Sequence, residues 1–85
     1  MKNWLRVIDG VTFIKDRIKE NNGMVNLDSI ESILPKKEKD TILKMMLEDG
    51  YKFIGINLGD RHVRTLCRPD IGCIEAYKMA KSGAV

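Results

Sequence analysis

The chain has 85 residues, a formal net charge of +3 and 44 % hydrophobic residues, which suits one small globular domain over residues 1–85 and excludes a disordered chain. No apolar run reaches the roughly 18–20 residues of a membrane span, and Met1-Lys2-Asn3-Trp4 lacks the apolar stretch of a secretory signal. A cytoplasmic protein with no membrane partner is therefore expected.

Trp4, Val7, Ile8, Val11, Ile14 and Ile18 recur at spacings of three and four. That stripe predicts a first helix, stopped by Asn21-Asn22-Gly23. Asp9-Gly10 opposes it, because Asp-Gly between apolar stretches is also a hairpin signal. The alternative is a helix that starts near Gly10 with Asp9 as its cap. Met24-Val25-Asn26 reads as a short extended piece. Leu27 to Leu34 reads as a second helix, with Leu27, Ile30, Ile33 and Leu34 on one face. Asn26 or Asp28 can cap it, and Pro35 ends it.

A third helix is predicted from Lys36 to Asp49, closed by Gly50. Its apolar residues Ile42, Leu43, Met45, Met46 and Leu47 cover roughly 200° of the wheel. The opposite face carries Lys37, Asp40, Thr41, Lys44 and Glu48. The period then changes to two. Tyr51–Asn57 and His62–Arg68 form a hairpin about Leu58-Gly59-Asp60-Arg61, and Pro69 ends it. Asp70 can cap a last helix from Ile71 to Lys81, with Ile74, Tyr77 and Met79 or Ala80 expected to be buried.

The charge is unevenly placed. Residues 36–68 hold eight basic and five acidic side chains, against five of each in 1–35 and two of each in 69–85. A local basic excess is the footprint of a nucleic-acid surface, and also of an ordinary solvated one.

Two stretches, Ile14–Leu34 (IKDRIKENNGMVNLDSIESIL) and Ile42–Ile54 (ILKMMLEDGYKFI), carry a family likeness. The first is an apolar helix end, a glycine break, a short strand and a compact helix. The second is a helix with an acidic tip, a glycine and an aromatic residue opening a strand. In this order the chain resembles the winged helix-turn-helix superfamily over residues 4–68. The resemblance implies an α+β fold in the order helix, short strand, helix, helix, β-hairpin wing, C-terminal helix. It also resembles the small regulators encoded by archaea, plasmids and viruses. It departs from the superfamily in having Lys39 where an apolar residue usually opens the third helix, and Pro35-Lys36-Lys37 in the turn.

In such folds the third helix enters the major groove and the wing follows the backbone or minor groove. The matching residues are Lys36, Lys37, Thr41 and Lys44 on helix 36–49, and Arg61, His62, Arg64 and Arg68 on wing 51–68. Asp40 and Glu48 share the helix face and repel phosphate, and Leu66 shares the wing face with His62, Arg64 and Arg68. A basic edge that prevents strand-to-strand aggregation is the other reading of the wing.

His62, Cys67 and Cys73 lack the paired spacing of a zinc site, so no metal or cofactor is expected, and the cysteines read as reduced, small core residues. One histidine, with no phosphate loop or Ser–His–Asp set, gives no basis for an enzyme. The resemblance also implies a homodimer through helices 4–20 and 71–81, using Trp4, Leu5, Ile74 and Tyr77; the same residues can instead complete the monomer core. The expected function is sequence-specific binding of double-stranded DNA by a small transcriptional regulator. The alternative is a winged helix module that docks on a protein, such as a host factor.

Overall fold

The computed structural model describes residues 4–83. It is an α+β fold of four helices and a three-stranded antiparallel sheet: α1 (Trp4–Glu20), β1 (Met24–Asn26), α2 (Leu27–Ile33), α3 (Lys39–Glu48), β2 (Lys52–Asn57), β3 (His62–Cys67) and α4 (Cys73–Lys81). The sheet order is β1-β3-β2. Thus β3 is central, with Val25 opposite Leu66 on one side and Phe53 opposite Leu66 on the other.

The Asp9-Gly10 pair lies inside α1, which runs unbroken through it. The three-four stripe outweighs the turn signal because it buries Val7, Val11, Ile14 and Ile18 together. Gly10 joins that face for its own reason. A Cβ there would stand 2.5 Å from Ile42 Cδ1, so the missing side chain lets α1 and α3 approach. Trp4 and Ile8 lie to one side of the stripe and are exposed, contrary to the broader stripe expected. Asn22 and Gly23 take φ of 63° and 102°, and Gly23 N–H donates to Ile18 C=O at 2.7 Å, which closes the helix.

Asn26, rather than Asp28, caps α2 by accepting from Ser29 N–H at 3.1 Å. The connection to α3 is a turn and not a helical start. Pro35 C=O accepts from Glu38 N–H at 3.2 Å and Lys39 N–H at 2.9 Å, so α3 begins three residues later than Lys36. Glu38 is the buried residue at its head, and Lys39 is half-buried with its ammonium 3.6 Å from Glu31. Only Ile42 and Met46 of α3 are fully buried.

The two faces of the sheet carry separate cores. Val25 and Leu66 join Val7, Val11, Ile14, Ile18, Leu27, Ile30, Leu34, Ile42 and Met46 beneath α1–α3. Met24, Ile54, Ile56, Cys67 and Ile71 join Ala76 and Ala80 of α4 on the other face. The last helix therefore differs from expectation. It starts at Cys73 with Gly72 at its cap, Ile71 is a core residue ahead of it, and Asp70 bonds Arg68 instead of capping. It turns its alanines to the sheet and leaves Ile74 and Tyr77 exposed, because small residues allow the closer packing.

Candidate nucleic-acid interface

Lys36 and Lys37 are exposed in the turn before α3. Within the helix, Thr41 is half-buried and Lys44 is exposed. The rest of the outer face is Asp40, Leu47 and Glu48, all exposed, so this face of α3 carries one lysine and two carboxylates. The acidic end of the helix is tied down elsewhere. Lys15 of α1 donates to Asp49 at 2.6 Å and lies 5.9 Å from the Tyr51 ring centre. The hydrogen bond to Asp49 holds the Lys15 ammonium above its ordinary pKa.

The hairpin brings its basic residues to different places. Strand alternation sets His62, Arg64 and Leu66 on one face of β3. Leu66 belongs to the core under α1–α3, so this is the face that carries the helical layer, with Leu66 beneath it and Arg64 and His62 exposed further along the strand. Arg64 there donates to Asp28 at 2.8 Å and to Glu31 at 3.0 Å, both on α2. Glu31 also meets Lys39, and so links β3, α2 and α3. Arg68, just past the strand, donates to Asp70 at 3.0 Å, and its guanidinium packs beside Gly23. His62 is exposed, with its ring against Gly55 of the neighbouring strand. Arg61 is exposed in the loop, where Leu58 N–H donates to Arg61 C=O at 2.9 Å.

Arg61 also shares a groove of about 350 Å³ with Leu58, Asp60, Tyr77 and Lys81, which adds a basic neighbour on α4. The Lys81 ammonium stands 5.9 Å from the Tyr77 ring centre. Arg64 is exposed but paired, so the expected residues that are exposed and without an ion pair among the described residues are Lys36, Lys37, Lys44, Arg61 and His62, with Thr41 at the edge of the helix face. The carboxylates that hold Arg64 lie 33 and 36 residues away in sequence, and no local pattern marks them.

His62 and Cys67 lie on opposite faces of β3, and no group of three His, Cys, Asp or Glu residues among the described residues could hold a metal ion. Cys67 is buried and Cys73 exposed. The apolar residues expected at a dimer interface, Trp4 and Leu5 on α1 and Ile74 and Tyr77 on α4, are exposed but belong to layers on opposite faces of the sheet. No helix among the described residues is long and apolar enough to cross a membrane. Comparison with protein-family models, curated proteins and solved structures finds no match.

Proposed function

We propose that the chain is a winged helix-turn-helix domain that binds double-stranded DNA, as a small transcriptional regulator. The observation that carries this reading is the sheet order β1-β3-β2 beneath α1–α3, with exposed lysines at the head of α3 and Arg61 at the hairpin tip. Lys36, Lys37 and Arg61 meet phosphates, while Thr41 and Lys44 face base edges. His62 lies beside the backbone contact made by Arg61. Arg64 and Arg68 hold the hairpin and its exit in place through Asp28, Glu31 and Asp70.

Three cations at phosphates imply that log affinity falls with log salt at a slope of about −2.7. Fluorescence titration of duplex DNA at several salt concentrations measures it. Arg61→Ala should reduce the slope by about one and weaken all sequences alike. Lys44→Ala and Thr41→Ala should change the preference among sequences. Absence of duplex binding at low salt would refute the proposal, and tighter binding to RNA would redirect it.

The outer face of α3 favours a second reading, a protein-docking module. Asp40 and Glu48 flank the exposed Leu47 there, and a carboxylate-flanked apolar residue suits a protein surface better than a phosphate backbone. A specific protein retained after nuclease treatment, and lost with Leu47→Ser, would support that reading if duplex binding is absent.

A further inference from the structure

One flank of α1 reads Arg6, Asp9, Phe13, Arg17 and Glu20, and all five residues are exposed. They are three, four, four and three positions apart. At about 100° per residue they fall within a band of about 80° on the wheel. The spacing is symmetric about Phe13, and the charges are antisymmetric about it: plus, minus, apolar, plus, minus.

A two-fold axis through Phe13 sets this helix antiparallel against a copy of itself. Phe13 then meets the partner's Phe13. Asp9 meets the partner's Arg17, and Arg17 meets the partner's Asp9. Arg6 and Glu20 exchange contacts in the same way at the ends. Every charge on the flank faces its opposite. A parallel pairing in register would set each charge against its like, which disfavours it.

The ground beside the flank fits the same arrangement. Arg6, Asp9 and Phe13 line a cavity of about 380 Å³ with Ile33 and Pro35 at the end of α2. Arg17 and Glu20 line a second cavity, of about 260 Å³, with Asn26 and Ser29 at its start. The two-fold lays the first cavity of one copy over the second cavity of the other. It also covers Phe13 and closes over Ile33, which are 41 % and 59 % exposed.

We propose that this flank is a self-association surface, with α1 pairing antiparallel with α1 of a second copy and crossing at Phe13. The occupant is a second copy because the charge order complements itself. The surface differs from the one built on Trp4, Leu5, Ile74 and Tyr77, since Trp4 lies on the opposite side of the α1 wheel. It does not depend on DNA binding.

The test is sedimentation equilibrium of the full chain from about 10 to 200 µM, with Asp9→Arg, Arg17→Asp and the double variant. Asp9 and Arg17 are about 12 Å apart along the axis, so they do not pair within one chain. Wild type should show a concentration-dependent dimer. Each single reversal creates two like-charge contacts and should weaken association at least about tenfold. The double variant restores two opposite-charge contacts and should recover wild-type association within about threefold. Circular dichroism establishes that each variant is folded. A wild type that stays monomeric throughout, single reversals without effect, or a double variant no better than the singles would each overturn the proposal. A monomer that instead retains a foreign protein through Phe13 would also overturn it.

Discussion

Gly10→Ala separates helix propensity from packing in α1. In an open helix the change stabilises by about 1 kcal/mol. Here the new Cβ would stand 2.5 Å from Ile42 Cδ1 and 3.1 Å from Ile42 Cγ1. Ile42 is fully buried, so it has little room to withdraw. Overpacking of this kind costs about 1–3 kcal/mol. The expected balance is a net loss of about 0–2 kcal/mol. Ile42→Val removes the Cδ1 atom and by itself costs about 0.5–1.5 kcal/mol. In that background the 2.5 Å contact is gone, and Gly10→Ala should become neutral or stabilising by up to about 1 kcal/mol. The two changes should thus couple by about 1–2 kcal/mol. Urea unfolding of the four proteins, followed by far-ultraviolet circular dichroism, completes the cycle. Stabilisation by Gly10→Ala in the wild-type background, or additivity within about 0.5 kcal/mol, would refute the argument that this glycine sets the α1–α3 approach.

The two thiols should differ in reactivity. Iodoacetamide should add once to the native chain, at Cys73, and reach Cys67 only after unfolding, read by intact mass; equal rates would contradict the burial of β3. Alkaline pH should destabilise the fold in two stages. Burial pushes the Cys67 thiol above its ordinary 9.0, partly offset by a hydrogen bond with Thr65, so its contribution is present below that value and declines above it. The Lys15 ammonium is raised above 10.5 by Asp49, so its contribution persists to higher pH and is lost only beyond 10.5. Thermal melts from neutral pH upward should show Lys15→Met removing the second stage and leaving the first. Arg64→Ala should lower stability by about 0.5–1 kcal/mol, through loss of Asp28 and Glu31, while Arg61→Ala leaves Tm unchanged. Equal losses from both would show that the Arg64 ion pairs contribute nothing measurable.

Local periodicity was readable wherever one element decides its own burial. The stripe through Val7, Val11, Ile14 and Ile18 held across Asp9-Gly10, and the switch to period two marked both hairpin strands. The misread positions depend on distant partners. Ala80 is buried as the sequence allows, but hydrophobicity ranks Ile74 and Tyr77 above Ala76, and close contact with the sheet selects the alanine. The head of α3 lies later than the sequence suggests because a proline carbonyl that gathers two amides gives no apolar signal. His62, Arg64 and Arg68 looked like one basic row. Leu66 on the same strand marks the row as the side that carries the helical layer, and the carboxylates of α2 that meet Arg64 lie too far along the chain to be inferred.

The basic excess of residues 36–68 shrinks once these partners are counted. Of its eight cations, Lys39, Arg64 and Arg68 stand in ion pairs, and Asp40 and Glu48 oppose Lys44 on the outer face of α3. The exposed cations gather instead at the head of that helix and at the hairpin tip, and both positions suit the phosphate backbone. Base readout on the proposed DNA reading then falls to Thr41 and Lys44 alone. A good base contact discriminates by about 1–3 kcal/mol, and neither of these short or single-point donors reaches the upper figure. The two together should discriminate by about 2–4 kcal/mol, or roughly 30- to 1,000-fold between preferred and random duplexes. Competition binding against a randomised duplex pool measures that ratio. A ratio near 10⁵ would require readers beyond these two side chains. It would argue that Asp40, despite its charge, accepts from a cytosine amino group and belongs to the reading face.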